Sequence, residues 1–107
     1  MSDLDPNQPT EESRPPLPPV SFSFLVLSIR AQAEMQLGLM RFSEEEQGPP
    51  DLDLARHTID LMAILLEKTK GNLTLEEHRL LENSLTELRF RFVQASSELG
   101  KAAAQKA

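Results

Sequence analysis

The two histidines are the residues of this sequence best suited to metal binding or proton transfer, because the chain contains no cysteine. Asp53 and Asp60 stand four positions before and three positions after His57, so a helix would carry all three side chains on one face. A carboxylate and an imidazole can begin a metal site, but such a site needs further ligands at fixed spacing. We therefore expect a solvated His57 among charged neighbours, and we predict no metal and no cofactor.

His78 and the serines offer no better starting point for catalysis. His78 falls at the beginning of a predicted helix, where a leucine side chain can pack against it. No serine stands in a strand–turn–helix elbow or beside a glycine-rich oxyanion loop, and no nucleotide-binding or zinc motif occurs. The carboxylates of the last third alternate with arginines at helical spacing, which is typical of a solvated face. The sequence predicts that the chain is not an enzyme.

Lys68 and Lys70 belong to the most basic turn of the chain, next to Gly71. One interpretation is structural, because bases suit the negative end of a helix and glycine suits the left-handed residue after it. The other is an anion contact that combines both lysines with the free N–H groups of the following helix. Arg89 and Arg91 leave a similar choice between outward-facing arginines and a nucleic-acid contact. We favour the structural interpretation at both places.

The net charge of −6 is concentrated outside the predicted helices. Residues 1–20 carry −3 and residues 43–53 carry −5, which leaves +2 for the rest of the chain. A nearly neutral helical body makes a poor phosphate-binding surface. A nucleic-acid- or ribosome-associated regulator is therefore only the alternative prediction of function.

Composition divides the 107 residues into a leader, a body and a tail. Residues 1–20 hold six of the eight prolines and few large apolar side chains, which predicts a disordered acidic leader. Within it, residues 14–20 resemble a polyproline ligand for an aromatic groove, although a solvated linker is the simpler interpretation. Residues 21–99 form the predicted helical domain, and residues 100–107 form an alanine-rich tail that frays. No secretory signal and no apolar run of about 20 residues is visible, so we expect a cytoplasmic protein without membrane contact.

The first predicted helix, from Ser21 to about Gly38, has an unusual pattern of apolar residues. Its odd positions are nearly all apolar, as in a strand, but its residues are helix formers and the sequence offers no partner strand. On a helix these residues form two stripes on nearly opposite sides, whereas a surface helix needs only one. We therefore predict that this helix also packs on a second chain, most simply in a dimer. The predicted interface residues are Phe24, Leu25, Leu27, Ile29, Met35 and Leu37.

Two further helices follow a polar segment rich in glutamate and proline. The second helix begins at Asp51 or Asp53 and ends before Gly71. The third begins at Thr74, whose spacing from Glu77 is that of a capping box. Because the connection between them is short, we predict an antiparallel hairpin on which helix one packs. The predicted fold class is all-α, with three helices.

Three strings of the sequence are more specific than a general helical pattern. They are SFSFLVLSIRAQAEMQLGL (21–39), ARHTIDLM (55–62) and EKTKGNLTLEE (67–77). Together they resemble a family of short, uncharacterised bacterial proteins, the domain of unknown function number eighteen-forty-four. The resemblance covers residues 21–93 and implies an all-helical cytoplasmic protein of bacterial origin, with no activity to transfer. The function that we expect is a small protein-interaction or structural module that acts as a homo-oligomer.

Overall fold

The computed structural model describes residues 14–39 and 49–106. These residues form three helices: α1 over Phe22–Gln36, α2 over Leu52–Lys68 and α3 over Leu75–Lys106. Each helix packs against both of the others. The predicted all-α class and the three helices are therefore confirmed within these ranges. The predictions for residues 1–13 and for most of the polar segment after helix one lie outside the described residues.

Polar side chains mark the beginnings of α1 and α2 by accepting hydrogen bonds from free backbone N–H groups. The hydroxyl of Ser21 accepts from the N–H of Phe24 at 3.0 Å. A carboxylate oxygen of Asp51 accepts from the N–H of Leu54 at 3.1 Å. Of the two aspartates that the sequence offers as the cap of α2, Asp51 is thus the one used, and Asp53 lies in the first turn.

α3 begins with the complete capping box that the sequence predicts. The N–H of Glu77 donates to Thr74 Oγ1 at 3.1 Å, and the N–H of Thr74 donates back to Glu77 Oε1 at 2.8 Å. The helix continues to Lys106, past Leu99, where we expect it to fray. Alanine-rich sequence can prolong a helix that is already nucleated, because each added residue gains one hydrogen bond.

Two glycines with left-handed backbone end the first two helical segments. Gly38 has φ 79° and Gly71 has φ 86°. Directly beyond Gly38, the connection between α1 and α2 is closed by a main-chain hydrogen bond, in which the N–H of Asp51 donates to the carbonyl of Gln36 at 2.8 Å. The end of α1 and the start of α2 therefore lie side by side. Across the whole described part, no helix has both the length and the apolar character needed to cross a membrane.

The core receives three buried apolar side chains from each helix. They are Val26, Ala33 and Leu37 from α1, Ala55, Ile59 and Met62 from α2, and Leu81, Leu85 and Leu88 from α3. Residues recurring every three or four positions face the same side of a helix, so each helix contributes one stripe. The core is small, and a core of this size gives only a few kcal/mol of net stability.

The core side of α1 differs from the pattern that the sequence indicates. Val26 and Leu37 are buried and Ile29 packs against the same cluster, whereas Leu25 is 47% exposed. One face of α1 therefore meets both α2 and α3, which lie on the same side of it. This arrangement places Ile29 and Leu37, two of the predicted interface residues, in the core of their own chain.

Candidate functional site

α1 presents large apolar side chains to solvent as well as to the core. Phe24 and Met35 are 45% and 51% exposed, and Leu25 and Leu27 are each 47% exposed. A line along the helix, on the side opposite the core, connects Phe24, Ser28, Ala31 and Met35. These residues are separated by four, three and four positions. The outer face of α1, as we use the term, comprises Phe24, Leu25, Leu27, Ser28, Ala31, Gln32 and Met35.

None of the residues of the outer face of α1 is charged; Glu34, seven residues after Leu27, borders this face and pairs with Arg30. Its polar members are Ser28 and Gln32, and the Ser28 hydroxyl donates to the carbonyl oxygen of Phe24 at 2.9 Å within the helix. Contiguous apolar surface of this kind marks interaction sites in proteins. The outer face is therefore the first candidate for a functional surface.

Arg30 makes the side of α1 next to α3 polar. Its Nε lies 3.3 Å from Glu34 Oε1, and its Nη2 lies 3.3 Å from Glu87 Oε2 on α3. Its Nη1 donates to the buried hydroxyl oxygen of Ser84 at 3.4 Å. Arg91 Nη2 lies 3.8 Å from the second carboxylate oxygen of Glu87. The charges of this side are thus used to hold α1 against α3.

α2 extends the apolar surface along the flank of α1 that is away from α3. Leu54, Leu61 and Ile64 are 45%, 49% and 52% exposed. Leu54 and Leu61 share a face of α2 with Thr58, whose hydroxyl donates to Gln36 Oε1 of α1 at 2.6 Å. These two leucines therefore adjoin α1. The α1–α2 side of the molecule is apolar and the α1–α3 side is charged.

Four of the six predicted interface residues lie on the outer face of α1: Phe24, Leu25, Leu27 and Met35. Ile29 and Leu37 do not, because they pack in the core of their own chain. The exposed leucines of α2 are not among the predicted interface residues. A signal was available, because Leu54 and Leu61 are seven residues apart and so share a line along the helix, next to the core stripe of α2.

The histidines lie on exposed helix surfaces. His57, Asp53 and Asp60 are all exposed on α2. His78 Nε2 lies 2.7 Å from Glu82 Oε2 one turn later on α3, with both side chains about half exposed. Among the residues that the structure describes, no group of three ligating side chains could hold a metal ion.

The basic turn shows the features that the structural interpretation requires. Lys68 lies in the last turn of α2 and Gly71 has the left-handed backbone, as the structural interpretation requires. Lys70 lines a groove of about 410 Å³ between α2 and α3 together with Arg89, His78 and Glu67. The carboxylate of Glu67 offsets part of the positive charge there, and an anion contact at Lys68 and Lys70 stays a prediction.

Comparison with known proteins places the chain in a family. Searches of the curated proteins and of the solved structures found no match. The profile of a domain of unknown function, DUF1844, matches residues 19–94, which include α1, α2 and the part of α3 that packs in the core. Since this match covers more than half of the sequence, the chain belongs to the DUF1844 family.

Proposed function

We propose that this chain is a protein-interaction or structural module that acts as a homo-oligomer, most simply a dimer, through the outer face of α1. The observation that carries the proposal is the set of four large apolar side chains, each about half exposed, on a helix face without charge. We propose no catalytic role, and we expect the module to act in the cytoplasm.

A second copy of the chain is the occupant that suits this face best. In a two-fold dimer the same surface meets itself, so a charge near the two-fold axis would lie next to its own like charge in the other copy. The outer face has none, because Arg30 and Glu34 are engaged on the α3 side. A face that meets its own copy gains from uniform apolar character, whereas a face for a charged partner would need charges of opposite sign.

The area of the surface supports an interface that includes α2. Taking about 90 Å² for half of a large apolar side chain, the four exposed residues of α1 supply only about 360 Å². Leu54 and Leu61 of α2 raise the sum to about 540 Å², about two thirds of the roughly 800 Å² per partner of a stable interface. We therefore include these two residues in the proposed dimer surface.

We also infer that α2 and α3 form the antiparallel hairpin that the short connection predicts. The grooves between them support this direction. Lys70 near the end of α2 lines a groove with His78 near the start of α3. Arg56 near the start of α2 lines another with Phe92 and Val93, later in α3. Such a hairpin gives α1 a two-helix base and leaves its outer face free for the second copy.

Light scattering coupled to gel filtration of the full chain, from low to high micromolar concentration, tests the proposal. We expect the mass of a dimer. Phe24→Glu should give a folded monomer, because it puts an unpaired charge into the proposed interface and weakens association by at least about 100-fold. Its matched control is Phe90→Glu, since Phe90 is 60% exposed on α3 and lies outside the proposed surface.

The two substitutions add the same charge to the same residue type, so a general effect of charge would move both. A dimer for Phe90→Glu and a monomer for Phe24→Glu, with equal helical circular dichroism, supports the proposal. A monomeric parent chain at high micromolar concentration overturns it. So does a dimer that survives Phe24→Glu and dissociates with Phe90→Glu.

A further inference from the structure

We infer that the two copies pair their α1 helices in antiparallel orientation, with Phe24 of one copy against Met35 of the other. The inference rests on the proposed function, because it concerns the same face, and it adds the direction and register of the contact. It follows from the order of residues along the outer face, from their sizes, and from the charge at the two ends of α1.

The spacing of residues along the central line of the outer face is the same in both directions. Phe24, Ser28, Ala31 and Met35 are separated by four, three and four residues, so the midpoint of the line lies between Ser28 and Ala31. A two-fold axis through that midpoint reverses the helix and superimposes the line on itself. It places Phe24 opposite Met35 of the second copy and Ser28 opposite Ala31 of the second copy.

The sizes of these side chains suit this register. The two small residues, Ser28 and Ala31, lie at the centre, where they allow the helix axes to approach to about 8 Å, the lower end of the usual range. The large residues lie at the two ends of the line. Each end then brings the thioether of Met35 against the ring of Phe24, which is a favourable sulfur–aromatic contact.

The ends of α1 supply an independent reason for the antiparallel direction. The first turn of α1 has no acidic residue and the last turn has no basic one, so neither end of the helix dipole is offset by a side chain of opposite charge. Antiparallel pairing sets the positive end of each helix near the negative end of the other. Parallel pairing would set two positive ends together and two negative ends together.

Disulfide crosslinking tests the register directly, because the natural chain has no cysteine and each introduced thiol is the only one present. The full-length variants Ser28→Cys and Ala31→Cys are mixed in equal amounts, allowed to exchange subunits and oxidised. Position 28 should lie within disulfide reach of position 31 of the other copy, with Cα atoms about 4.4–6.8 Å apart. The three possible disulfide dimers differ in mass and are counted by mass spectrometry.

The matched control is Asn83→Cys, an exposed position on α3 outside the proposed surface, which reports crosslinking by random collision. We expect the mixed 28–31 disulfide to exceed the half-share of random assortment and to form faster than the Asn83→Cys dimer. Disulfides that join each variant mainly to itself would indicate parallel pairing and overturn the inference. A dimer by light scattering without fast crosslinking at either position also overturns it but leaves the proposed function standing. A monomer by light scattering overturns both.

Discussion

Replacing Arg30 by methionine tests how α1 is held against α3. Methionine keeps the apolar stem of the arginine side chain but removes its charge and its donors. The change breaks two ion pairs, with Glu34 and Glu87, that are partly exposed and are each worth about 0.3–1 kcal/mol. It also leaves the buried Ser84 oxygen without its donor, at a cost of about 1 kcal/mol. We therefore expect the free energy of unfolding to fall by about 1.5–3 kcal/mol.

Thermal unfolding followed by circular dichroism measures this loss at one fixed protein concentration, because the stability of an oligomer depends on concentration. A loss of that size corresponds to a decrease in Tm of about 6–24 °C for a domain of this length. The control is Arg79→Met, because Arg79 is exposed and forms no ion pair within the described residues. It should change the Tm little.

Salt separates the two contributions to the loss. Raising the ionic strength from about 0.1 M to 1 M shortens the screening length from about 10 Å to 3 Å, so the part due to exposed ion pairs should shrink. The part due to the hydrogen bond with Ser84 should persist. Equal Tm values for Arg30→Met and Arg79→Met, or a difference that does not depend on salt, would refute this account of the α1–α3 contact.

Three further substitutions test the core and the connections by urea or thermal unfolding. Leu81→Ala removes a side chain with no exposed surface, so the free energy of unfolding should fall by about 2–5 kcal/mol; a change under 1 kcal/mol would contradict the described packing. Thr58→Val leaves Gln36 Oε1 without its donor at 2.6 Å and should cost about 1–2 kcal/mol, whereas Thr58→Ser, which keeps the hydroxyl, should cost less. Gly38→Ala should cost about 1 kcal/mol or more, because residue 38 has a positive φ and the new Cβ lies 3.4 Å from a proline side chain. Gly71→Ala also has a positive φ, but its Cβ meets open space, so it should cost less. The reverse order of the two costs would refute the argument.

The starts of the three helices and the ends of α1 and α2 could be predicted from the sequence because their determinants are local. Thr74 and Glu77 stand three residues apart, and the hydrogen bonds between them depend on nothing else in the chain. The same holds for Gly38 and Gly71, whose left-handed backbone ends a helical segment. Spacing of this kind is visible in a sequence read alone.

The orientation of α1 could not be predicted because it depends on two distant helices. The alternation of apolar odd positions hides Val26, an even position that is completely buried. Arg30 pairs locally with Glu34, but its other partners, Ser84 and Glu87, lie more than fifty residues away. Which side of α1 is free follows only from these distant contacts.

The candidate surface could be predicted only in part, because its position also depends on contacts between distant residues. The unusual number of apolar residues on α1 indicates that some of them stay exposed, and Phe24, Leu25, Leu27 and Met35 are each about half exposed. The contribution of Leu54 and its neighbours requires knowing which side of α2 meets α1. The spacing of Leu54 and Leu61 shows that they share a line on α2, but only the hydrogen bond between Thr58 and Gln36 shows that this line adjoins α1.

The hydrogen bond that joins Asp51 to Gln36 also makes the connection between α1 and α2 a place to install a reporter. The bundle itself holds the two ends of the connection together, so the stability depends only logarithmically on the length of the connection. Each doubling costs about 0.6 kcal/mol. An epitope or a fluorescent protein inserted between residues 39 and 49 would leave both termini and most of the apolar surface untouched. Two such insertions of different colour would turn assembly of the chain in living cells into an energy-transfer signal.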